Sequence, residues 1–201
     1  YGQPVLRKVA EDITPDYPNL KELIENMFET MVHADGVGLA APQIGLPIRV
    51  VTITLDPLSE EYPEFKDFNK AYINPHILEV GGEEVNMEEG CLSLPGKSGT
   101  VTRPNYVKVR ALDRDMQPFE LEGTELLARC ICHECAHLHG QLYVDLVEGE
   151  LMDTTVIGVT RNAIVGNAHC YPNCSFFFRT LSNHFKNPNF VGVSNRKAFS
   201  F

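Results

Sequence analysis

The chain has 201 residues, 43% hydrophobic and 22% charged, with a formal net charge of −10. Such a composition belongs to a globular protein with a real core, not to a disordered chain, and the length suits one domain or one domain with an appendage. The acidic balance argues against a bare nucleic-acid binder, which is normally basic, and no stretch approaches the roughly 20 apolar residues of a membrane helix.

The chain opens on Tyr1-Gly2-Gln3-Pro4, where no basic region leads into an apolar run, so no signal peptide is read. The first element is a helix from about Tyr17 to Ala34, because Leu20, Leu23, Ile24, Met27, Phe28, Met31 and Val32 recur at helical spacing. Asp16 is its expected N-cap, Pro18 falls in the first turn and Gly36 is the expected stop. Gly36-Val37-Gly38-Leu39-Ala40-Ala41-Pro42-Gln43 follows, small residues that let the backbone approach something closely. Ile48 to Leu55 is β-branched and predicts a strand. Asp56 to Asn69 predicts a loop, and Ala71 to Val80 one or two short strands broken at Pro75.

Glu88-Glu89-Gly90-Cys91-Leu92-Ser93-Leu94-Pro95-Gly96 comes next. Tyr106 to Leu112 alternates Val107, Val109 and Ala111 with Lys108 and Arg110, the pattern of a half-buried strand. Asp113 to Gln117 predicts a turn and Phe119 to Leu121 a hairpin partner. A second helix is expected from about Glu125 to His139, with Thr124 as N-cap and Gly140 as stop. Helix, several strands, helix is the order of an α+β fold. Cys130, Cys132 and Cys135 crowd that helix beside histidines, which favours a reduced cytoplasmic protein over a disulfide framework. Beyond Asp153 charge thins out, and Tyr171 to Phe178 is apolar without a period. A boundary near Met152 therefore divides residues 1–152 from an extension over 153–201.

His133-Glu134-Cys135-Ala136-His137 is a HExxH sequence. A spacing of four sets both imidazoles on one helix face, where two nitrogens can share a metal ion, and Glu134 beside them can take a proton from an attacking water. A third ligand is needed. The metzincin position, six residues after the second histidine, is Tyr143. Glu148 and Glu150 would suit a thermolysin-like site, but nothing around them is helical enough to project a ligand. Cys91, in its tight turn, is the better candidate, since thiolate binds Zn²⁺ or Fe²⁺ strongly.

Three motifs in order, Gly36 to Gln43 (GxGLAAxQ), Glu89 to Ser93 (EGCLS) and His133 to His137, make the sequence resemble the peptide deformylases over about residues 1–152. The resemblance implies antiparallel strands packed around a central C-terminal HExxH helix, with an N-terminal amphipathic helix beside them. It implies a metal-dependent hydrolase that removes the N-formyl group from the formyl-methionine of nascent polypeptides. Cys91, His133 and His137 would bind the metal, Fe²⁺ with Zn²⁺ as a substitute. Glu134 would be the general base and then acid, while the Gln43 amide and the Leu92 backbone N–H would stabilise the oxyanion. Gly38 would pair with the substrate backbone, and Val37, Met87, Leu126 and Cys130 would line the methionine pocket. The implied partners are formyl-Met nascent chains and the ribosome that releases them, with no direct nucleic-acid or membrane binding.

Two features depart from that pattern. The family usually has Asp immediately before the second metal histidine, where this chain has Ala136, and the family's C-terminal helix is not evident. His169, Cys170 and Cys174 lack the regular spacing of a second zinc site. Cys132, Cys135 and His139 are expected to be structural, and Glu89 to order its loop or an arginine such as Arg103. The rival readings are a zinc endopeptidase using an unidentified carboxylate, and a catalytically weakened deformylase-like binding protein.

Overall fold

The computed structural model describes residues 1–153 and the two-residue strand 199–200. Two helices, α1 (Leu20–His33) and α2 (Glu125–Leu138), pack with one mixed sheet of seven strands. The strands are β1 (Gly38–Ala40), β2 (Val50–Thr54), β3 (Asn69–Cys91), β4 (Leu94–Leu112), β5 (Pro118–Thr124), β6 (Met152–Asp153) and β7 (Phe199–Ser200). Their main path runs β1-β2-β3-β4-β5 with every neighbour antiparallel, while β6 pairs with β4 and β7 runs parallel to β3 at Glu89–Gly90. The α+β expectation is borne out, and no helix among the described residues is long and apolar enough to cross a membrane.

β2 explains the layering. All five of its residues are buried, and successive side chains point to opposite faces. Val50 joins the cluster formed by Leu20, Leu23, Ile24, Met27 and Met31 of α1. Val51 and Ile53 join the cluster of α2, together with Tyr72, Val107, Val109 and Ala111. One helix therefore covers each face of this part of the sheet. Every residue of α2 from Leu126 to Leu138 is buried, so this helix is central, as the resemblance implied.

α1 begins three residues later than expected. The Tyr17 N–H turns back to the Thr14 carbonyl at 3.0 Å, and the Thr14 hydroxyl holds the Asp16 carboxylate, so Asp16 serves a turn instead of a cap. Asn19, at φ 54°, takes the N-cap position in a left-handed conformation that Asn tolerates. Val32 is 51% exposed and lies off the apolar stripe; Thr30 is buried in its place, its hydroxyl bonded to the Asn26 carbonyl at 2.7 Å.

β3 is continuous where a break was expected at Pro75. The register shifts between Ile73 and His76, and this bulge absorbs the residue that cannot donate to the ladder. The Asn74 N–H bonds the Arg49 carbonyl at 2.8 Å, and the Arg49 guanidinium in turn donates to the Pro75 carbonyl. The extension read over 153–201 lies outside the described residues, apart from Asp153 and Phe199–Ser200. Tyr171 to Phe178 and the trio His169, Cys170 and Cys174 fall there too.

Candidate metal centre

α2 and the β3–β4 turn supply the site. β3 ends at Cys91, Leu92 and Ser93 form the turn, and β4 begins at Leu94. The ligand atoms of Cys91, His133 and His137 all lie within 4.8 Å of one another, and all three residues are buried. Cys91 Sγ is 3.3 Å from His137 Nε2. The two imidazoles, one helical turn apart, have ring centroids 5.1 Å apart.

Glu89 orders the first histidine. It is fully buried and accepts from His133 Nδ1 at 2.8 Å, from Arg103 Nε at 2.7 Å and from Arg129 Nη1 at 2.8 Å. The expected Glu89–Arg103 contact is present; Arg129 was not foreseen. Its signal was available, because Arg129 stands four residues before His133 on the same helix face. Arg129 also donates to the Val101 carbonyl at 2.9 Å and the Val85 carbonyl at 2.6 Å, tying α2 to both long strands. Burial by itself would raise the Glu89 pKa, but hydrogen bonds from His133 and Arg103 outweigh it and hold the carboxyl well below its ordinary value.

The environment shifts the remaining groups towards their neutral forms. Burial, reinforced by the neighbouring His133, pushes His137 well below the ordinary histidine range. Burial and then the Glu134 charge push the Cys91 thiol up to about 12. Burial and then the Glu89 charge push Glu134 well above the carboxylate range. Both Glu134 carboxylate oxygens and His137 Nδ1 are buried with no hydrogen-bond partner among the described protein atoms. A thiol, two imidazoles and an acid converging in a buried cluster fit a soft divalent cation, which would replace the lost solvation and draw off the acidic protons.

The other expected residues are placed as follows. Gly38 lies in β1 against Glu134: a Cβ there would stand 2.3 Å from Oε1. Gln43 sits in a short 3-10 turn after β1, and its Oε1 accepts from the Ala40 N–H at 2.7 Å. That bond turns Nε2 inward, 3.4 Å from Cys91 Sγ and 3.3 Å from Ser93 Oγ. Leu92 sits in the turn after Cys91, with its side chain against the α1 cluster. Val37, Leu126 and Cys130 belong to the α2 cluster, with Met87 packed on its edge. Cys132 and Cys135 are core residues there, and all four cysteines in the described region are free. His139 caps α2, 3.4 Å from Arg49 Nη1, and Glu88 accepts from Ser98 Oγ at 2.5 Å, away from the triad.

The family model described as polypeptide deformylase matches residues 1–151. A peptide deformylase of Agathobacter rectalis is 53% identical over 154 residues, covering 77% of this chain and 90% of the relative. One from Flavobacterium psychrophilum is 46% identical, covering 73% and 79%. The crystal structure of the Thermotoga maritima peptide deformylase superposes with a TM-score of 0.67 at 39% identity, covering 74% of this chain and 95% of that one. The Synechococcus elongatus peptide deformylase in complex with actinonin also gives 0.67 at 39% identity, covering 74% and 76%. With a family model matched over residues 1–151 and relatives at 46–53% identity, the chain belongs to the polypeptide deformylase family.

Proposed function

We propose that residues 1–152 form a catalytic domain in which Cys91, His133 and His137 hold a divalent ion, and that residues 153–201 extend it. As a peptide deformylase, the chain hydrolyses the N-formyl group of formyl-methionyl nascent polypeptides and releases formate. The observation that carries the site assignment is the convergence of three ligand atoms within 4.8 Å, with the unpartnered Glu134 carboxyl beside them. The ion supplies Lewis acidity when bound: it lowers the pKa of water and polarises a carbonyl.

The chain's own residues do the rest. Burial lowers the pKa of both His133 and His137, which favours the neutral imidazole with a lone pair to offer. Glu134 takes the proton as water oxygen bonds to the formyl carbon, then returns it to the amine nitrogen as the C–N bond breaks. Gln43 Nε2 and the Leu92 N–H donate to the oxygen on which negative charge develops. β1, the terminal strand of the sheet path, offers the Gly38 backbone to an extended substrate as an added strand. Val37, Met87, Leu126 and Cys130 receive the methionine side chain.

Fe²⁺ is the ion we assign, with Zn²⁺ able to replace it; a thiolate beside Fe²⁺ suits a reducing cytoplasm. Ribosome contact, without direct nucleic-acid or membrane binding, completes the reading. The binding-only alternative rested on Ala136 and on the unusual tail beyond Asp153, and the relatives support the catalytic reading instead. The test is formate release from a formyl-Met peptide by anaerobically purified, Fe²⁺-loaded protein. Release should fall ~10²–10⁴-fold in Glu134→Ala with metal content unchanged. A folded, loaded protein that releases no formate would sink the catalytic assignment.

A further inference from the structure

Tyr143 occupies the position where a metzincin would place its third ligand, and the chain does return it to the metal centre. Gly140, at φ +71°, reverses the backbone after α2, so close to the Arg7 carbonyl that a Cβ would stand 2.6 Å from its oxygen. Asp145 holds the next turn by accepting from the Leu142 N–H and from Arg7 Nη2, each at 2.9 Å. Tyr143, 2% exposed, then lays its ring nearly parallel to His133, with centroids 6.0 Å apart and 26° between the planes. Its hydroxyl donates to the Lys97 carbonyl at 3.0 Å. Lys97 lies on β4, the strand that leaves the Cys91 turn, and Tyr143 shares a buried cluster with Cys91 and Val101.

We propose that Tyr143 is a positioning residue for the metal centre. The inference rests on the ligand assignment above. Glu89 restrains His133 within its ring plane, through Nδ1; the Tyr143 face restrains rotation out of that plane. The hydroxyl bond to Lys97 joins the same ring to the strand that follows Cys91. One side chain thereby fixes the separation between the ligand pair on α2 and the ligand on β3. An aliphatic residue would fill the space and do neither.

The test is Co²⁺ titration of the metal-free full chain and its Tyr143→Phe and Tyr143→Leu variants. It follows the ligand-field bands and the thiolate-to-cobalt charge-transfer band, with circular dichroism as the folding control. Tyr143→Leu should weaken Co²⁺ binding ~10–100-fold and shift the ligand-field bands. Tyr143→Phe, which keeps the ring, should show a smaller loss. Parent-like affinity and spectra in a folded Tyr143→Leu overturn the proposal. If that variant does not fold, Tyr143→Phe decides: a weakened or shifted cobalt signal supports the tie to Lys97, and a parent-like one overturns it. A parent chain with no thiolate-to-cobalt band would instead overturn the ligand assignment.

Discussion

Gly38 is a residue whose importance lies in what it lacks. Its φ is unremarkable for an L residue; the constraint is space, because the Glu134 carboxylate occupies the position of a side chain. In Gly38→Ala, β1 or the carboxylate must shift, and a displacement near 1 Å at a reacting group can cost about 10²-fold in rate. Formate release should therefore fall by roughly that factor, while circular dichroism and metal content stay at parental values. A metal content that falls along with the rate would place the effect on the ligands instead of on Glu134. Gln43 shows the same economy: one oxygen bonded to the Ala40 N–H sets which end of the amide faces Cys91.

At the scale of elements, Glu89 joins three of them. It lies near the end of β3, pairs with Arg103 of β4 and meets Arg129 and His133 of α2. Replacing a buried charge between two guanidinium groups leaves both cations uncompensated, so Glu89→Gln should lose about 3–5 kcal/mol in urea unfolding at pH 7. The sign of the pH dependence follows from the lowered folded-state pKa. The stabilisation is complete above the unfolded carboxylate value of about 4.3 and is lost as pH falls below it towards the folded value. The parent should therefore weaken on the acid side of pH 4.3, whereas Glu89→Gln should show a shallower slope there. Equal slopes would remove Glu89 from the acid-sensitive network.

For the whole molecule, an ion held by Cys91, His133 and His137 would bridge the end of β3 and the central helix. With the Cys91 thiol pushed up to about 12, the chain without an ion carries a thiol proton that a cation must displace, and burial shifts Glu134 in the same direction. Zn²⁺ added in weak buffer at pH 7 should release about one proton or more per ion, and affinity should rise with pH. Cys91→Ala should bind far more weakly and release fewer protons; binding that survives this change would favour the endopeptidase rival. Free ion at about 100 Kd adds about 2.7 kcal/mol to stability, so a chelator should lower the unfolding temperature by about 5–10 °C. An unfolding temperature indifferent to chelator would mean that the ion does not bridge these elements.

Local chemistry was legible in the sequence. The period of Leu20 to Met31 and the alternation of Val107, Val109 and Ala111 each report near neighbours in the chain, and each appears in the fold, as does the start of α2 after Thr124, although the Thr124 side chain makes no capping bond. The two histidines and Glu134 were legible for the same reason, since one helix carries all three. What the sequence could not reveal depends on residues far apart in the chain. β3 and β4 run through Gly81–Gly82 and Pro104 because antiparallel pairing with bulges tolerates what local propensity rejects. The late start of α1 depends on a turn closed by Thr14, and the service of Arg129 to Glu89 on a contact across 40 positions. The tight turn and the ligand strength of a thiolate made Cys91 the better candidate for third ligand, and family likeness agreed; only the packing of the β3–β4 turn on α2 brings its sulfur to 3.3 Å from His137. Local periodicity determines which elements form, whereas long-range burial and hydrogen bonding decide where they meet.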